Sequence, residues 1–161
     1  MSKAISHAKF IAETYSRDKS TKIGALILGP EGEPLSWGYN GFPRGVNDNE
    51  ETRYERPLKY LWTEHAERNA IYNAARSGHK LLGASMFITG LCPCPDCSRA
   101  VIQSGIRKVY LELAAFDVTN PRAEAWLKDW PVSKQMLTEA GIEIRVLSPE
   151  MEIHEQHSNL V

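Results

Sequence analysis

Two short clusters of metal-binding and acidic residues stand out in this sequence of 161 residues. The first is His65-Ala66-Glu67, and the second is Pro93-Cys94-Pro95-Asp96-Cys97. One histidine and two cysteines are three good zinc ligands, and three protein ligands leave the fourth tetrahedral position open for water, as in catalytic zinc sites. Glu67 lies two residues from the histidine, where it can act on that water without binding the metal. The spacing therefore predicts a catalytic zinc centre that holds one Zn²⁺ per subunit.

Weaker interpretations exist for each cluster taken alone. A Cys-x-x-Cys pair also occurs in thioredoxin-like redox sites and in structural zinc sites. A single histidine at a helix start usually has a structural role. Together, however, the two clusters match H-x-E…P-C-x-x-C at every specified position, and this pattern is the signature of zinc-dependent deaminases. In such enzymes the glutamate serves as general acid and base. The sequence therefore predicts a zinc deaminase with His65, Cys94 and Cys97 as ligands and Glu67 as the catalytic residue.

Length and composition narrow the class of protein. The length suits one domain, which we place at residues 1–147, followed by a C-terminal tail at 148–161. The 19 basic and 20 acidic residues give a net charge of -1, which does not favour binding to long nucleic acid. No apolar run approaches a membrane span, and the three cysteines, all between positions 92 and 97, do not form a disulfide framework. We expect a cytoplasmic protein, because a reducing compartment keeps thiolate ligands available.

The first half of the chain predicts a helix, a hairpin and a long loop. Apolar residues recur at helical spacing over residues 2–16, which indicates an amphipathic helix. Residues 23–28 and 35–39 predict two strands, joined by a turn rich in glycine and proline. Residues 40–61 predict a long surface loop, and loops of that length in compact domains are often functional.

The second half alternates between strands and helices. Thr63 is predicted to cap a helix over residues 64–76, so that His65 and Glu67 lie in its first turn. A strand at 84–89, a helix at 95–104, a strand at 108–111, a helix that ends near 140 and a strand at 142–147 follow. This order predicts one mixed sheet covered by helices on both faces, with right-handed crossovers between the later, parallel strands. Helix starts favour thiolate over thiol, which suits the two cysteines.

Three segments together carry a family resemblance: the two metal clusters and Gly38-Tyr39-Asn40-Gly41-Phe42-Pro43-Arg44-Gly45. Over residues 16–147 the sequence resembles the deoxycytidylate (dCMP) deaminases of the cytidine deaminase-like superfamily. The zinc motif is common to the superfamily, whereas the segment at 38–45 and the following Asn47-Asp48 point to the deoxycytidylate branch. The resemblance implies an α/β fold, a three-layer α/β/α sandwich with a mixed five-stranded sheet.

The resemblance also implies an activity and an assembly. The reaction is hydrolytic deamination of dCMP to dUMP with release of ammonia, which supplies dUMP for thymidylate synthesis. Zinc lowers the pKa of its water toward about 7, and Glu67 carries the proton from that water to N3 and then to the leaving amine. Family members are commonly homohexamers, activated by dCTP and inhibited by dTTP.

Several residues outside the zinc motif are candidates for contacts to the nucleotide. Asn40 is the main candidate for a substrate anchor, and the alternative is a turn residue before Gly41. The loop that holds Gly41 and Asn47 could bind substrate or effector. Basic candidates for phosphate contacts, each of which could instead be a solvated surface residue, are Lys22, Arg44 and Arg53. Tyr60 and Trp62 could stack on a base or make core or subunit contacts.

Some features fall outside the motif. Cys92 is not required as a ligand and is expected to pack as a small apolar side chain. Residues 114–131 do not match the short connection of the family, and Trp126 and Trp130 in this stretch suggest a subunit interface. His154 and His157 have possible ligand spacing, but a solvated tail is the favoured interpretation.

Two other functions remain open at this point. A tRNA adenosine deaminase shares the zinc motif, although a more basic surface and a different asparagine loop would be expected of it. A catalytically idle nucleotide-binding module with the same fold is the second alternative, and the intact Glu67 and ligand set argue against it. The preference for mono- or triphosphate is not decided by the residues.

Overall fold

The computed structural model describes residues 2–147, so the predicted tail at 148–161, with His154 and His157, lies outside the described residues. In chain order its helices and strands are α1 (Ser2–Tyr15), β1 (Gly24–Leu28), β2 (Pro34–Tyr39), α2 (Lys59–Trp62), α3 (Ala66–Ser77), β3 (Ser85–Ile88), α4 (Pro95–Ser104), β4 (Lys108–Glu112), α5 (Pro121–Leu127), α6 (Trp130–Glu139) and β5 (Glu143–Leu147). Short 3₁₀ helices lie at Glu51–Tyr54 and Leu113–Phe116. Among these residues, every helix is too short or too polar to cross a lipid bilayer.

The five strands form one mixed sheet in the order β2-β1-β3-β4-β5. β1 pairs antiparallel with both β2 and β3, whereas β3, β4 and β5 are parallel to one another. Helices α4 and α6 lie in the connections between the parallel strands, as such connections require. The predicted mixed five-stranded sheet is confirmed.

Side chains that alternate along the strands build two hydrophobic layers. One layer packs the sheet against α3, α4 and α6, and its strand residues include Ala25, Ile27, Met86, Ile88, Val109 and Leu111. The other layer packs Leu26, Phe87 and Tyr110 against α1. In this layer the rings of Phe87 and Tyr110 stack with centroids 4.4 Å apart. The sheet therefore has helices on both faces, which confirms the three-layer prediction.

Two glycines let helices approach the sheet closely. A Cβ added at Gly24 would lie 1.9 Å from the carbonyl oxygen of Ala8 in α1. A Cβ added at Gly38 would lie 2.4 Å from the backbone nitrogen of Ala70 in α3. Since no side chain fits at either distance, Gly38 sets how closely the helix that follows His65 packs against β2.

The predicted start of that helix was wrong by two residues. Thr63 is not its cap: α3 begins at Ala66, and His65 is the N-cap residue, with extended backbone angles. The reason is a β-bridge in which the Glu64 N–H donates to the Gly41 carbonyl (2.8 Å) and the Gly41 N–H to the Glu64 carbonyl (3.1 Å). This bridge keeps Glu64 extended, so His65 precedes the helix and only Glu67 lies in its first turn.

Two further expectations differ from the structure. The predicted loop at 40–61 contains a 3₁₀ helix at Glu51–Tyr54 and the start of the one-turn helix α2. The single helix predicted before β5 is two helices, α5 and α6, separated at Lys128 and Asp129. The 3₁₀ helix, α2 and α5 have at most seven residues each, which is too few to show a clear hydrophobic period in the sequence.

Candidate metal centre

His65, Cys94 and Cys97 come together as the only group of at least three His, Cys, Asp or Glu residues among the described residues whose ligand atoms could share a metal ion. Their ligand atoms all lie within 4.8 Å of one another, and His65 Nδ1 is 3.4 Å from each of the two Sγ atoms. Tetrahedral zinc with ordinary Zn–N and Zn–S bonds separates nitrogen from sulfur by about 3.5 Å. The predicted ligand set therefore fits zinc in identity, number and spacing.

Two helix starts and two ion pairs of Arg68 hold the ligands. Cys94 is the N-cap of α4, Pro95 follows at the first helical position, and Cys97 lies in the first turn. The free backbone N–H groups there favour bound anions such as thiolates. Arg68 of α3 pairs with Glu64 and lies 3.5 Å from the carboxylate of Asp96 in α4. Arg68 therefore ties the two helix starts together, which the motif alone does not reveal.

Hydrogen bonds and burial change the pKa values of the two thiols and of the imidazole. A hydrogen bond from the Cys97 thiol lowers the pKa of Cys94 to about 4, and His65 acts in the same direction. The same hydrogen bond, together with burial, raises the pKa of Cys97. Burial alone would lower the pKa of His65, but the hydrogen bond to Cys94 and the charge of Glu67 raise it. The hydrogen bonds and the imidazole therefore favour a thiolate in this cluster, and zinc binding would release the remaining thiol proton.

Glu67 is a buried carboxyl group beside this cluster. Only 4% of the residue is exposed, and burial raises the pKa of its carboxyl group. It lies outside the group of three ligands and faces the same pocket as His65. This is the arrangement expected of a proton carrier that does not bind the metal.

The pocket that contains His65 and Glu67 has a volume of about 280 Å³. This volume is just below the range typical of small-molecule sites, which begins at roughly 300 Å³. Three sets of residues line the pocket. The first is at the metal cluster and includes His65, Glu67 and Cys92, and the second belongs to α5 and includes Pro121, Ala125 and Trp126. The third is a polar set that includes Asp18, Asn40, Arg56, Lys59 and Tyr60. The pocket is suited to one small molecule with both apolar and polar parts.

The polar set contains a buried ion pair that the sequence did not predict. Lys59 Nζ lies 2.6 Å from Asp18 Oδ2 and 3.0 Å from the hydroxyl of Ser20. The side chains of Lys59 and Asp18 are 6% and 7% exposed. Although burial raises the pKa of Asp18, hydrogen bonds from Lys59 and Ser20 outweigh it and lower that pKa overall. No motif links these residues, because they are far apart in the chain and meet only in the folded protein.

Arg56 is a second cation that the sequence analysis missed. Its Nε donates to the hydroxyl of Tyr60 at 2.9 Å, which positions the guanidinium group at the pocket. Within the part of the chain that the structure describes, no carboxylate forms an ion pair with Arg56, whereas Lys59 is neutralised by Asp18. Arg56 therefore offers a positive charge to a bound molecule.

Asn40 lines the pocket, and most of its amide is already in use. Its Oδ1 accepts from the Ser16 hydroxyl and from the Ile23 N–H, both at 2.8 Å, and its Nδ2 donates to the Thr21 carbonyl at 2.8 Å. One N–H of the amide remains for a ligand. The three bonds fix the orientation of the side chain, as in a structural turn residue, and the remaining N–H can still bind a ligand. The two roles predicted for Asn40 are therefore compatible.

The other predicted nucleotide contacts lie away from the pocket lining. Arg44 donates to Asn73, Lys22 donates to the Glu13 carbonyl, and Asn47 accepts from the Asn49 N–H. Gly41 forms the bridge to Glu64 that precedes the metal ligand. The structure therefore does not bring these residues together with the metal cluster. Of the candidates for contacts to the sugar and phosphate, only Asn40 lines the pocket.

Of the two aromatic residues predicted to stack on a base, one lines the pocket and the other does not. Tyr60 lines the pocket, whereas Trp62 lies under the guanidinium group of Arg53, 4.1 Å from ring centroid to Cζ. Trp126 and Trp130, which the sequence suggested as part of a subunit interface, both make contacts within the chain, and the interface itself stays a prediction. Trp130 packs edge-on against Phe116, and Trp126 lines the pocket.

Cys92 packs as predicted for a small apolar residue. It is 2% exposed, and burial raises its pKa to about 12. Its carbonyl oxygen accepts a hydrogen bond of 2.6 Å from the Trp126 indole N–H. Cys92 lies outside the ligand group, so its sulfur is not required to hold the metal.

Comparison with known proteins points to the same chemistry. Residues 1–113 match the family model described as the cytidine and deoxycytidylate deaminase zinc-binding region. A protein of Aliivibrio fischeri, described as an uncharacterized deaminase in the luxG 3' region, is 40% identical over 81% of this chain and 82% of its own length. The deoxycytidylate deaminase of enterobacteria phage T4 is 42% identical over 84% of this chain and 83% of its own.

Two further comparisons concern length and fold. The human deoxycytidylate deaminase is 33% identical over 62% of this chain, and the matched region spans 57% of the human protein. Among solved structures, the dCMP deaminase of cyanophage S-TIM5 in complex with dCMP and dUMP has a TM-score of 0.67 at 25% identity, over 91% of this chain and 95% of that one. The likeness to this structure therefore covers nearly the whole of both chains.

Proposed function

Because this chain belongs to the family of cytidine and deoxycytidylate deaminases with the common zinc-binding region, we infer that it is a zinc-dependent enzyme that deaminates dCMP. The reaction is dCMP plus water to dUMP plus ammonia. The observation that carries this conclusion is the buried Glu67 carboxyl group, which faces one small pocket together with the ligand residue His65. The relatives named deoxycytidylate deaminase and the structural neighbour with bound dCMP and dUMP support this choice of substrate.

Metal binding and proton transfer are carried out by different residues of the site. When held by His65, Cys94 and Cys97, zinc supplies the Lewis acidity that makes water a nucleophile near neutral pH. Glu67 takes the proton from the attacking water, delivers it to N3 of the cytosine ring and then assists departure of the amine from C4. Because Glu67 is not a ligand, its carboxyl group is free to move between the protonated and ionised forms during each turnover.

Recognition of a monophosphate is supported by Arg56. A 5'-phosphate needs a cation, and guanidinium groups bind phosphate oxygens with two parallel hydrogen bonds. Of the two polar-set cations that line the pocket, Lys59 is already paired with Asp18, so Arg56 is the one that can serve the phosphate. Asn40, with one N–H to donate, is the candidate for a sugar hydroxyl.

The direct test is release of ammonia from zinc-loaded protein. We would offer dCMP, CMP, deoxycytidine, dCTP and a tRNA adenosine substrate in parallel. Selective turnover of dCMP is the expected result. Turnover of the tRNA substrate alone would contradict the proposed substrate but keep the zinc chemistry, and no turnover of any substrate would favour an idle binding module.

Regulation, assembly and location remain proposals. We propose a homohexamer that responds to dCTP and dTTP and works in the cytoplasm, since its two thiolate ligands need a reducing compartment. Tyr15 and Trp37 stack at 5.0 Å and are 44% and 40% exposed, which supports further contacts at the β2 edge of the sheet. Light scattering gives the number of subunits, and initial rates with and without dCTP or dTTP test regulation.

A further inference from the structure

Trp126 lies outside the region that matches the family model, which ends at residue 113. It nevertheless lines the same pocket as His65 and Glu67, together with Pro121 and Ala125 of the same helix, α5. One wall of the pocket is therefore built by a segment that the family's zinc-binding region does not include.

The indole ring has a fixed position. Its N–H donates to the Cys92 carbonyl at 2.6 Å, and its ring centroid lies 5.5 Å from that of His65 at an interplanar angle of 48°. The hydrogen bond satisfies the polar end of the side chain, so the apolar faces of the ring can be used for packing. One of these contacts is with a metal ligand, which places the indole beside the reacting centre.

A pyrimidine in this pocket must bring its C4 next to Glu67 and the metal ligands. Aromatic rings pack with centroids about 4.5–7 Å apart, so a base that reacts beside His65 lies within stacking range of Trp126. We propose that Trp126 is the base-stacking wall of the active site and a determinant of affinity for the planar pyrimidine. This inference rests on the proposed deamination of dCMP.

Kinetics of two variants separate stacking from a structural role. In W126L the aromatic face is lost, and we expect KM for dCMP to rise about tenfold with a smaller change in kcat, which is within the range of base–aromatic stacking. In W126F an aromatic face remains but the N–H is lost, and we expect KM within about threefold of the wild type. An equal rise in both variants would show that the hydrogen bond to Cys92 matters and would overturn the inference.

Fluorescence gives a readout that does not depend on turnover. Binding of the product dUMP should change the indole emission of the wild type, and this change should be absent from W126F, which keeps Trp37, Trp62 and Trp130. The matched control is W130F, because Trp130 packs against Phe116 and does not line the pocket. W130F should keep the dUMP-induced change.

The outcomes distinguish this inference from the proposed function. If the wild-type enzyme turns over dCMP and W126F retains the full fluorescence response, the stacking role of Trp126 is wrong and the deamination stands. If the wild-type enzyme does not turn over dCMP, the proposed function fails and this inference fails with it.

Discussion

Asp18 and Lys59 form an ion pair of 2.6 Å beside the active-site pocket, with both side chains more than nine-tenths buried. Asp18 follows α1, and Lys59 begins the one-turn helix α2 just before the metal ligand His65. The pair therefore joins the N-terminal layer to the segment that leads into the zinc site.

Breaking this pair should destabilise the protein strongly. D18N leaves the buried Lys59 charge without its partner, and such changes cost about 3–5 kcal/mol. Urea unfolding at pH 7 measures the loss. The matched control is K19M, which breaks the exposed pair between Lys19 and Glu51, also 2.6 Å long, and should leave the free energy of unfolding unchanged. A D18N variant as stable as K19M would contradict the structural role of the pair.

The same pair predicts a dependence of stability on pH. Because the pKa of Asp18 is lowered in the folded protein, the stabilisation is present above its unfolded value near 3.8 and is lost as the pH falls through the lower, folded value. The difference in stability between wild type and D18N should therefore shrink as the pH falls below about 4. Both proteins are compared with the same chelator present, so that release of zinc in acid does not enter the difference. A constant difference down to pH 2 would contradict this assignment.

Glu67→Gln should separate metal binding from catalysis. The amide keeps the shape of the side chain but cannot carry a proton, so we expect turnover of dCMP to fall by at least about a hundredfold. The zinc content, measured by atomic emission, should stay at one per chain because Glu67 is not among the ligands. A variant with a near-normal rate would remove Glu67 from the mechanism.

The three cysteines should differ in their effect on zinc. Cys94→Ser removes a ligand, and we expect lower zinc content and loss of turnover. Cys92→Ala is the matched control, because Cys92 is buried nearby but lies outside the ligand group. It should keep both zinc and activity. Chelation should inactivate the wild type, and added zinc should restore its activity. Rapid turnover after complete removal of zinc would contradict a zinc-dependent mechanism.

Arg56→Gln should affect only substrates that carry a phosphate. Loss of a charge-assisted contact should raise KM for dCMP by about tenfold and leave the rate with deoxycytidine, which carries no phosphate, unchanged. Arg44→Gln is the control within the same loop, since Arg44 contacts Asn73 and does not line the pocket. Equal losses on dCMP and deoxycytidine would argue against a phosphate contact.

The zinc site could be predicted from sequence because its ligands obey a local rule. Cys94 and Cys97 are three residues apart on one helix start, and His65 and Glu67 are two residues apart, so each pair keeps its spacing whatever the rest of the fold does. The polar part of the pocket follows no such rule. Arg56 and Lys59 are close in the sequence, but Asp18 is 41 residues away from Lys59 and meets it only in the folded protein, so no sequence motif links the three.

The helices and strands could also be predicted where their pattern is local in the sequence. Long elements such as α1 and α4 show their period in the sequence and were placed to within a residue or two. The start of α3 was not, because the bridge between Gly41 and Glu64 is a contact between distant residues. Likewise, nothing near Trp126 in the sequence indicates that α5 turns back to the pocket.

The bridge between Gly41 and Glu64 also pins both ends of the segment between them. With its ends fixed, that segment can change length at little thermodynamic cost, since doubling a flexible loop costs only about 0.6 kcal/mol. Insertions and deletions should therefore be tolerated in its mostly exposed stretch at residues 43–52, whereas the part at residues 56–60 lines the pocket and is constrained. Evolution can lengthen or trim this loop without moving the metal ligand that follows it.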